Sequence, residues 1–307
     1  MNLLSLEVAE SVDVNWLKSL KDAFISCIIS TGRISLKILP VVFSKMMKIY
    51  ESNSEIASYN GWKKVAAIKK FQESDEVSNL QKFGSILMAN YADRLSPNSK
   101  SKWMSELTSL QKKTQNMRKS DNGNDSYDWF GAIMLIIYSN VPETLTFLNH
   151  FTMFNASLLW NRYENDCDIP ILYSKCCHLI ESIMDEELLS AFIQSGCTPS
   201  QISQQWLREC WLNFLDFDEI GHFYACCFAL GLDYSIYFSL AVFKHISRQL
   251  KASVSEQNLL RLLHDKTIYK GFKCRDFVEF MQDLQEKYRP QINKTFLENN
   301  NATRSEK

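Results

Sequence analysis

The sequence predicts an all-α protein, and three observations predict it. Glycine and proline are scarce, at 9 and 6 in 307 residues. Leu, Ile, Phe and Trp recur at spacings of three and four, the period of one helical face. Helix-start signatures recur too, the best formed being Thr198-Pro199-Ser200-Gln201: Thr as N-cap, Pro in the first turn, Gln placed to reach back. The expected architecture is many helices, an N-terminal helical region and no sheet. With 46% hydrophobic residues the chain can bury one large or two medium cores.

In chain order, Trp16, Leu17, Leu20, Phe24, Cys27 and Ile28 give one face of a helix over 14–31. A second helix is expected over Ile34–Tyr50, with Pro40 either kinking it or marking its true start. Asn60-Gly61 is a turn. Trp62–Phe71 reads as a short helix whose Lys63, Lys64, Lys69 and Lys70 form a solvated face. Helices over about 75–93 and 100–118 follow, separated at Ser96-Pro97-Asn98. Residues 119–126 are polar and glycine-containing, which marks a linker between an N-terminal region (1–118) and a helical domain (127–290).

Past the linker, helices are expected over Tyr127–Tyr138, Val141 to about Arg162, about Asp168–Ile183 and Asp185–Gln194, the last closed by Gly196. The helix opened by Thr198 carries Ile202, Trp206, Leu207, Cys210, Trp211 and Phe214. Asp216-Phe217-Asp218-Glu219 reads as another capping box for a helix over 219–230. Phe223–Phe243 is the most apolar run. A membrane span needs about 20 uninterrupted apolar residues, and Gly231-Leu232-Asp233 interrupts this one, so it reads as two buried helices with Asp233 capping the second, through Gln249. Ser253-Val-Ser255-Glu256 caps a further helix to His264. The last helix runs from Arg275 to Tyr288 and stops at Pro290, and 291–307 form a polar, disordered tail. The expected core is built on Trp129, Trp160, Trp206, Trp211, Phe214, Phe223 and Phe243.

Catalytic and cofactor motifs are missing, and no catalytic, metal or cofactor residue is assigned. There is no Gly-rich phosphate loop, no His-Glu-x-x-His and no Cys-x-x-Cys. His222 and Cys226 lie one helical turn apart, but without a second pair they read as core residues. Asp216, Asp218 and Glu219 could form an acid/base site; a helix start explains them without catalysis. A net charge of -1 supplies no global field for nucleic acid or an anionic membrane. The first ten residues lack a basic and apolar leader, and nine cysteines fit a reducing compartment, so a cytoplasmic location is expected.

Two sets of residues carry a resemblance. Gly196-Cys-Thr-Pro-Ser-Gln-Ile-Ser-Gln-Gln-Trp206-Leu, then Phe214-Leu-Asp-Phe-Asp-Glu-Ile220, Gly231 and Ser239-Leu-Ala-Val-Phe-Lys-His245 resemble the C-terminal half of a TBC domain, the all-helical fold of Rab GTPase-activating proteins. Asp128-Trp-Phe130, Ser157-Leu-Leu-Trp160, Ser190-Ala-Phe192, Gly271-Phe272 and Tyr288-Arg289 are similar to the end of the broad-minded family, a divergent TBC branch of much longer proteins. The resemblance covers about 127–290, and the chain therefore looks like a C-terminal portion of such a protein, a short form or an incomplete gene model.

That resemblance implies roles in the primary cilium or basal body and in Hedgehog signalling, with a cyclin-dependent-like kinase and Rab-type GTPases as partner types. It also implies a test of activity. An active TBC domain brings an arginine finger in Ile-x-x-Asp-x-x-Arg and a glutamine finger in Tyr-x-Gln to the GTPase, and neither motif occurs here. Anchoring on Gly131 puts Phe130 at the glutamine position; anchoring on Tyr127 puts Trp129 there. Anchoring on Gly231 puts Tyr224-Ala225 where the family's Trp-Asp pair stands. The expected function is protein contact without catalysis; the alternatives are a GTPase activator using other residues and a purely structural scaffold.

Overall fold

In the computed structural model of the chain, the residues described are 14–32, 34, 37–64, 86, 88–89, 92, 100–114, 127–151, 154–155, 171–253 and 259–305. In order the α-helices are α1 (Val14–Thr31), α2 (Leu39–Ser52), α3 (Ser54–Tyr59), α4 (Lys100–Lys113), α5 (Tyr127–Tyr138), α6 (Val141–Phe151), α7 (Ile171–Ile183), α8 (Glu186–Gln194), α9 (Pro199–Arg208), α10 (Phe217–Ala229), α11 (Tyr234–Ser253), α12 (Leu259–His264) and α13 (Val278–Ser305). Two 3-10 turns, Lys266–Tyr269 and Cys274–Phe277, join α12 to α13. The class is all-α, as the periodicity predicts. Extended pairing among the described residues is one two-residue antiparallel ladder, β1 (Lys63–Lys64) with β2 (Phe154–Asn155).

The centre of the molecule is α10. From Phe217 to Ala229 only Asp218 lies outside the core, so this helix is packed on every side, with Glu219 and His222 as its buried polar residues. Helix α2 packs on α10, α5 and α6, while α11 packs on α10, α7, α8 and α13. Rings form a continuous chain along α10: Phe228–Phe151 (5.9 Å), Phe151–Phe130 (4.6 Å), Phe130–Tyr224 (5.6 Å), Tyr224–Phe223 (5.0 Å), Phe223–Trp211 (5.6 Å), Trp211–Trp206 (5.0 Å) and Trp206–Phe243 (4.6 Å). Each such ring stabilises by area burial, on the order of 1.5–3 kcal/mol for a Phe. Tilted and edge-on pairs add about 0.5–1.5 kcal/mol each.

Both apolar runs of 223–243 are helical, and the break between them falls at Gly231, whose φ is +133°. No helix among the described residues is long and apolar enough to cross a membrane. Residues 119–126 lie outside the described residues. The helices on either side of them share one core: Phe43 of α2 stacks on Phe228 of α10 at 4.5 Å, and the Tyr50 hydroxyl donates to the Phe228 carbonyl at 2.6 Å.

Several boundaries differ from the sequence reading, each for a local reason. Helix α2 begins at Leu39, so Pro40 marks a start rather than a kink. Lys63 and Lys64 are extended, not helical, because the turn before them folds Trp62 inward. Gly61 takes φ +80°, the Trp62 N–H donates to Ala57 at 2.8 Å, and the indole stacks on Tyr50 at 5.3 Å with no exposure. Helix α6 ends at Phe151, short of Arg162, since Phe154 and Asn155 pair with β1.

The helix opened by Thr198 forms its capping box but ends at Arg208, not beyond Trp211. Cys210, Trp211 and Asn213 adopt φ of +53°, +62° and +70°. In a continuous helix, residues five apart point about 140° away from each other, at 3.6 residues per turn. The left-handed turn instead folds Trp211 back onto Trp206. At the other end, Pro290 lies inside α13, which continues to Ser305, so it does not stop the helix. Arg289 and Ile292, both buried, anchor the helix on either side of the proline.

Candidate functional site: two buried polar nodes on an aromatic core

Trp206, Trp211, Phe223 and Phe243 are fully buried and belong to one ring cluster, which Phe238 and Tyr269 complete. Phe214 is half-buried at its rim, edge-on to Tyr269 at 5.4 Å. Trp129 is half-buried against the core at the start of α5, while its neighbour Phe130 has no exposure. Trp160 lies outside the described residues. The six expected core residues that are described thus occupy the interior or its edge, and the polar chemistry lies at either end of α10.

The first polar node joins α10 to the loop after α1. Asp216 N-caps α10 without a side-chain cap bond, so the expected capping box does not form. Glu219 turns inward instead. Its carboxylate meets His222 Nδ1 at 3.0 Å and accepts the Cys274 N–H at 2.9 Å, and Lys273 bridges Glu219 and Asp216 at 3.3 Å each. His222 Nε2 accepts the Ile34 N–H at 3.1 Å. An accepting Nε2 places the ring proton on Nδ1, directed at Glu219. Burial alone would raise the Glu219 pKa. The hydrogen bonds from His222 and Cys274, with the Lys273 charge, outweigh it and hold the carboxyl below its ordinary value. With both ring nitrogens engaged, His222 acts as a structural crosslink between α10 and the chain at Ile34. Among the described residues no group of three or more His, Cys, Asp or Glu is placed to hold a metal.

The second node lies at the α10–α11 turn. Asp233 is buried, and its carboxylate receives Arg289 Nε at 2.8 Å and Nη2 at 2.7 Å, a bidentate pair. Nη2 also donates to the Leu230 carbonyl. Gln285, with its amide oxygen facing Arg289, accepts from the guanidinium and donates to the Tyr234 hydroxyl at 3.2 Å. Burial works against the Arg289 charge, but the bonds to Asp233 outweigh it and hold the guanidinium protonated. Only glycine fits at 231: a Cβ there would meet Arg289 Nη2 at 2.5 Å and Asp233 Oδ1 at 2.6 Å. The node extends to the first helices, where the Leu232 N–H donates to Asn60 O at 2.9 Å and Lys21 Nζ to Asn60 Oδ1 at 3.0 Å.

The sequence reading missed Arg289, Lys21, Tyr59 and Asn60 as a group. Their single local signal is Gly231-Leu232-Asp233, read as a turn and helix cap. Its partners lie 56 residues away in Arg289 and across the chain in Asn60.

A family model described as the Broad-minded protein Rab TBC domain matches residues 1–298. The chain belongs to that family. It is similar to Protein broad-minded of Mus musculus, 34% identical over 179 residues, which is 53% of this chain and 14% of that protein. It is likewise similar to Protein broad-minded of Danio rerio, 30% identical over 185 residues, 55% of this chain and 14% of the relative. The matched stretch thus spans about one seventh of those relatives. No solved structure matches. In this broad-minded-type TBC domain, Phe130 is packed between Phe151 and Tyr224. Tyr224 and Ala225 are buried in the central helix.

Proposed function

We propose that the chain is a non-catalytic TBC-like protein-interaction domain of a broad-minded-type protein, supporting primary-cilium assembly and Hedgehog (smoothened) signalling. The observation that carries the non-catalytic reading is the burial of Phe130. A glutamine finger must reach out to orient water at the γ-phosphate of a bound GTPase. Phe130 has no exposure, no amide and two aromatic rings packed against it. The absence of Ile-x-x-Asp-x-x-Arg removes the arginine from its usual place as well. What remains is a rigid scaffold, whose work is contact. Its partners on this reading are a cyclin-dependent-like kinase and a Rab-type GTPase bound without stimulation, in the cytoplasm and at the cilium or basal body.

Single-turnover GTP hydrolysis across a panel of Rab-type GTPases tests the proposal. The expected result is a rate equal to the intrinsic one. Stimulation approaching the roughly 10³–10⁵ of an arginine finger would show a GTPase activator with non-standard residues. Normal ciliation after deletion in a ciliated cell would remove the ciliary role.

A further inference from the structure

Lys21 of α1, Tyr59 at the end of α3 and Arg289 of α13 meet at the surface edge of the second polar node. We propose that they form a docking point for one acidic side chain of a protein partner, its carboxylate seated on the Lys21 ammonium beside the Tyr59 ring. This names a surface for the interaction role proposed above. Its test reads peptide binding rather than GTP hydrolysis, so either idea can fail alone.

Lys21 is half-buried. Its Nζ donates to the neutral Asn60 Oδ1 at 3.0 Å and lies 5.8 Å from the Tyr59 ring centre. Among the described residues no carboxylate lies within ion-pair distance of it. An ammonium has three donors, and the Asn60 bond uses one. Arg289 lies on the same ring, 5.3 Å from its centre, but its fork is taken up by Asp233, Leu230 and Gln285. It therefore contributes charge without offering a free bidentate face. Lys21, Arg289 and Asp233 together carry one net positive charge, which suits a monoanionic carboxylate better than a phosphate dianion.

The charges facing Lys21 decide the energetics. Burial and the Arg289 guanidinium disfavour its ammonium, and the Asp233 carboxylate compensates only in part, so its pKa falls to about 8. A partner carboxylate would offset the Arg289 repulsion and favour the ammonium by direct attraction. Tyr59 is 61% exposed, an aromatic residue at the surface beside the cation. Aromatic anchors with a polar rim are the composition of binding hot spots. Tyr50 of α2 shares the same field, but burial pushes its hydroxyl far above the ordinary tyrosine range, so it stays neutral.

Fluorescence anisotropy on the full chain tests this with a labelled peptide carrying one glutamate among leucines, against the same peptide with glutamine. The glutamate peptide should bind about five- to tenfold tighter, the upper end of what a partly buried ion pair yields. Lys21→Met should abolish that difference while leaving the helical circular dichroism intact, and Tyr59→Ala should weaken both peptides. On the unaltered chain the preference should fall as pH rises through about 8, where Lys21 loses its proton. Equal binding of the two peptides, a preference that survives Lys21→Met, or one that is flat from pH 7 to 9 would overturn the proposal. Displacement by inorganic phosphate but not by acetate would do so too, by making this a phosphate site.

Discussion

A buried ion pair is costliest when half of it is removed, because the remaining charge is left in a low-dielectric interior without a partner. Arg289 and Asp233 are 7% and 2% exposed and bonded at two points. Asp233→Ala or Arg289→Met should therefore each destabilise the fold by about 3–5 kcal/mol. The double variant should cost clearly less than the sum, since neither charge is then stranded. Urea unfolding of the four proteins measures this as a coupling energy; strict additivity would show that the pair does not act as a unit. The pair was not legible in the sequence for a simple reason. Asp233 sits where a helix cap belongs and Arg289 sits just before a proline, so each had a sufficient local explanation. Glu219 hid in the same way: its spacing from Asp216 matched a capping box, and only the fold brings Cys274 and Ile34 to it and to His222.

At the scale of elements, the helices that declared themselves are those with both a period and a terminal signal. Helices α1, α5, α8 and α9 begin within a residue of the expected places, and the Thr198 box forms with both of its bonds. What stayed hidden is the break at 209–216, because its left-handed residues are Cys210, Trp211 and Asn213 and none is glycine. The side chains that gain from the turn, Trp206 and Trp211, suggest a longer helix when read alone. This makes Asn213 informative: it is exposed, takes φ +70°, and its side chain makes one surface hydrogen bond, from Lys266 at 3.2 Å. Asn tolerates the left-handed region and β-branched residues do not. Asn213→Val should cost about 1–2 kcal/mol, while Asn213→Gly should stay within about 0.5 kcal/mol of the parent. Thermal unfolding followed by tryptophan fluorescence compares them; equal effects would mean that the turn relaxes without regard to backbone strain.

At the scale of the whole molecule, class and central stretch were legible, but the way the two halves of the chain meet was not. A polar linker shows where a chain can leave a core and says nothing of whether the segments it joins pack together. The decisive contacts are between residues far apart in sequence: Tyr50 with Phe228, Phe43 with Phe228, and Leu232 with Asn60. Phe228 is the clearest case. It is fully buried, with rings from α2, Trp62 and α6 around it, and the first two of those lie before residue 119. Without residues 1–118, the α2 face of α10 would lose its cover, and a large apolar patch of that kind drives association rather than folding. A chain of residues 127–307 alone should therefore retain helix but lack a cooperative transition and should bind a hydrophobic dye, while the full chain unfolds in one step with no dye binding. Near-native helicity with a sharp transition in the shorter chain would mean that its core closes unaided, and that the Phe43, Tyr50 and Trp62 contacts decorate a finished domain rather than complete it.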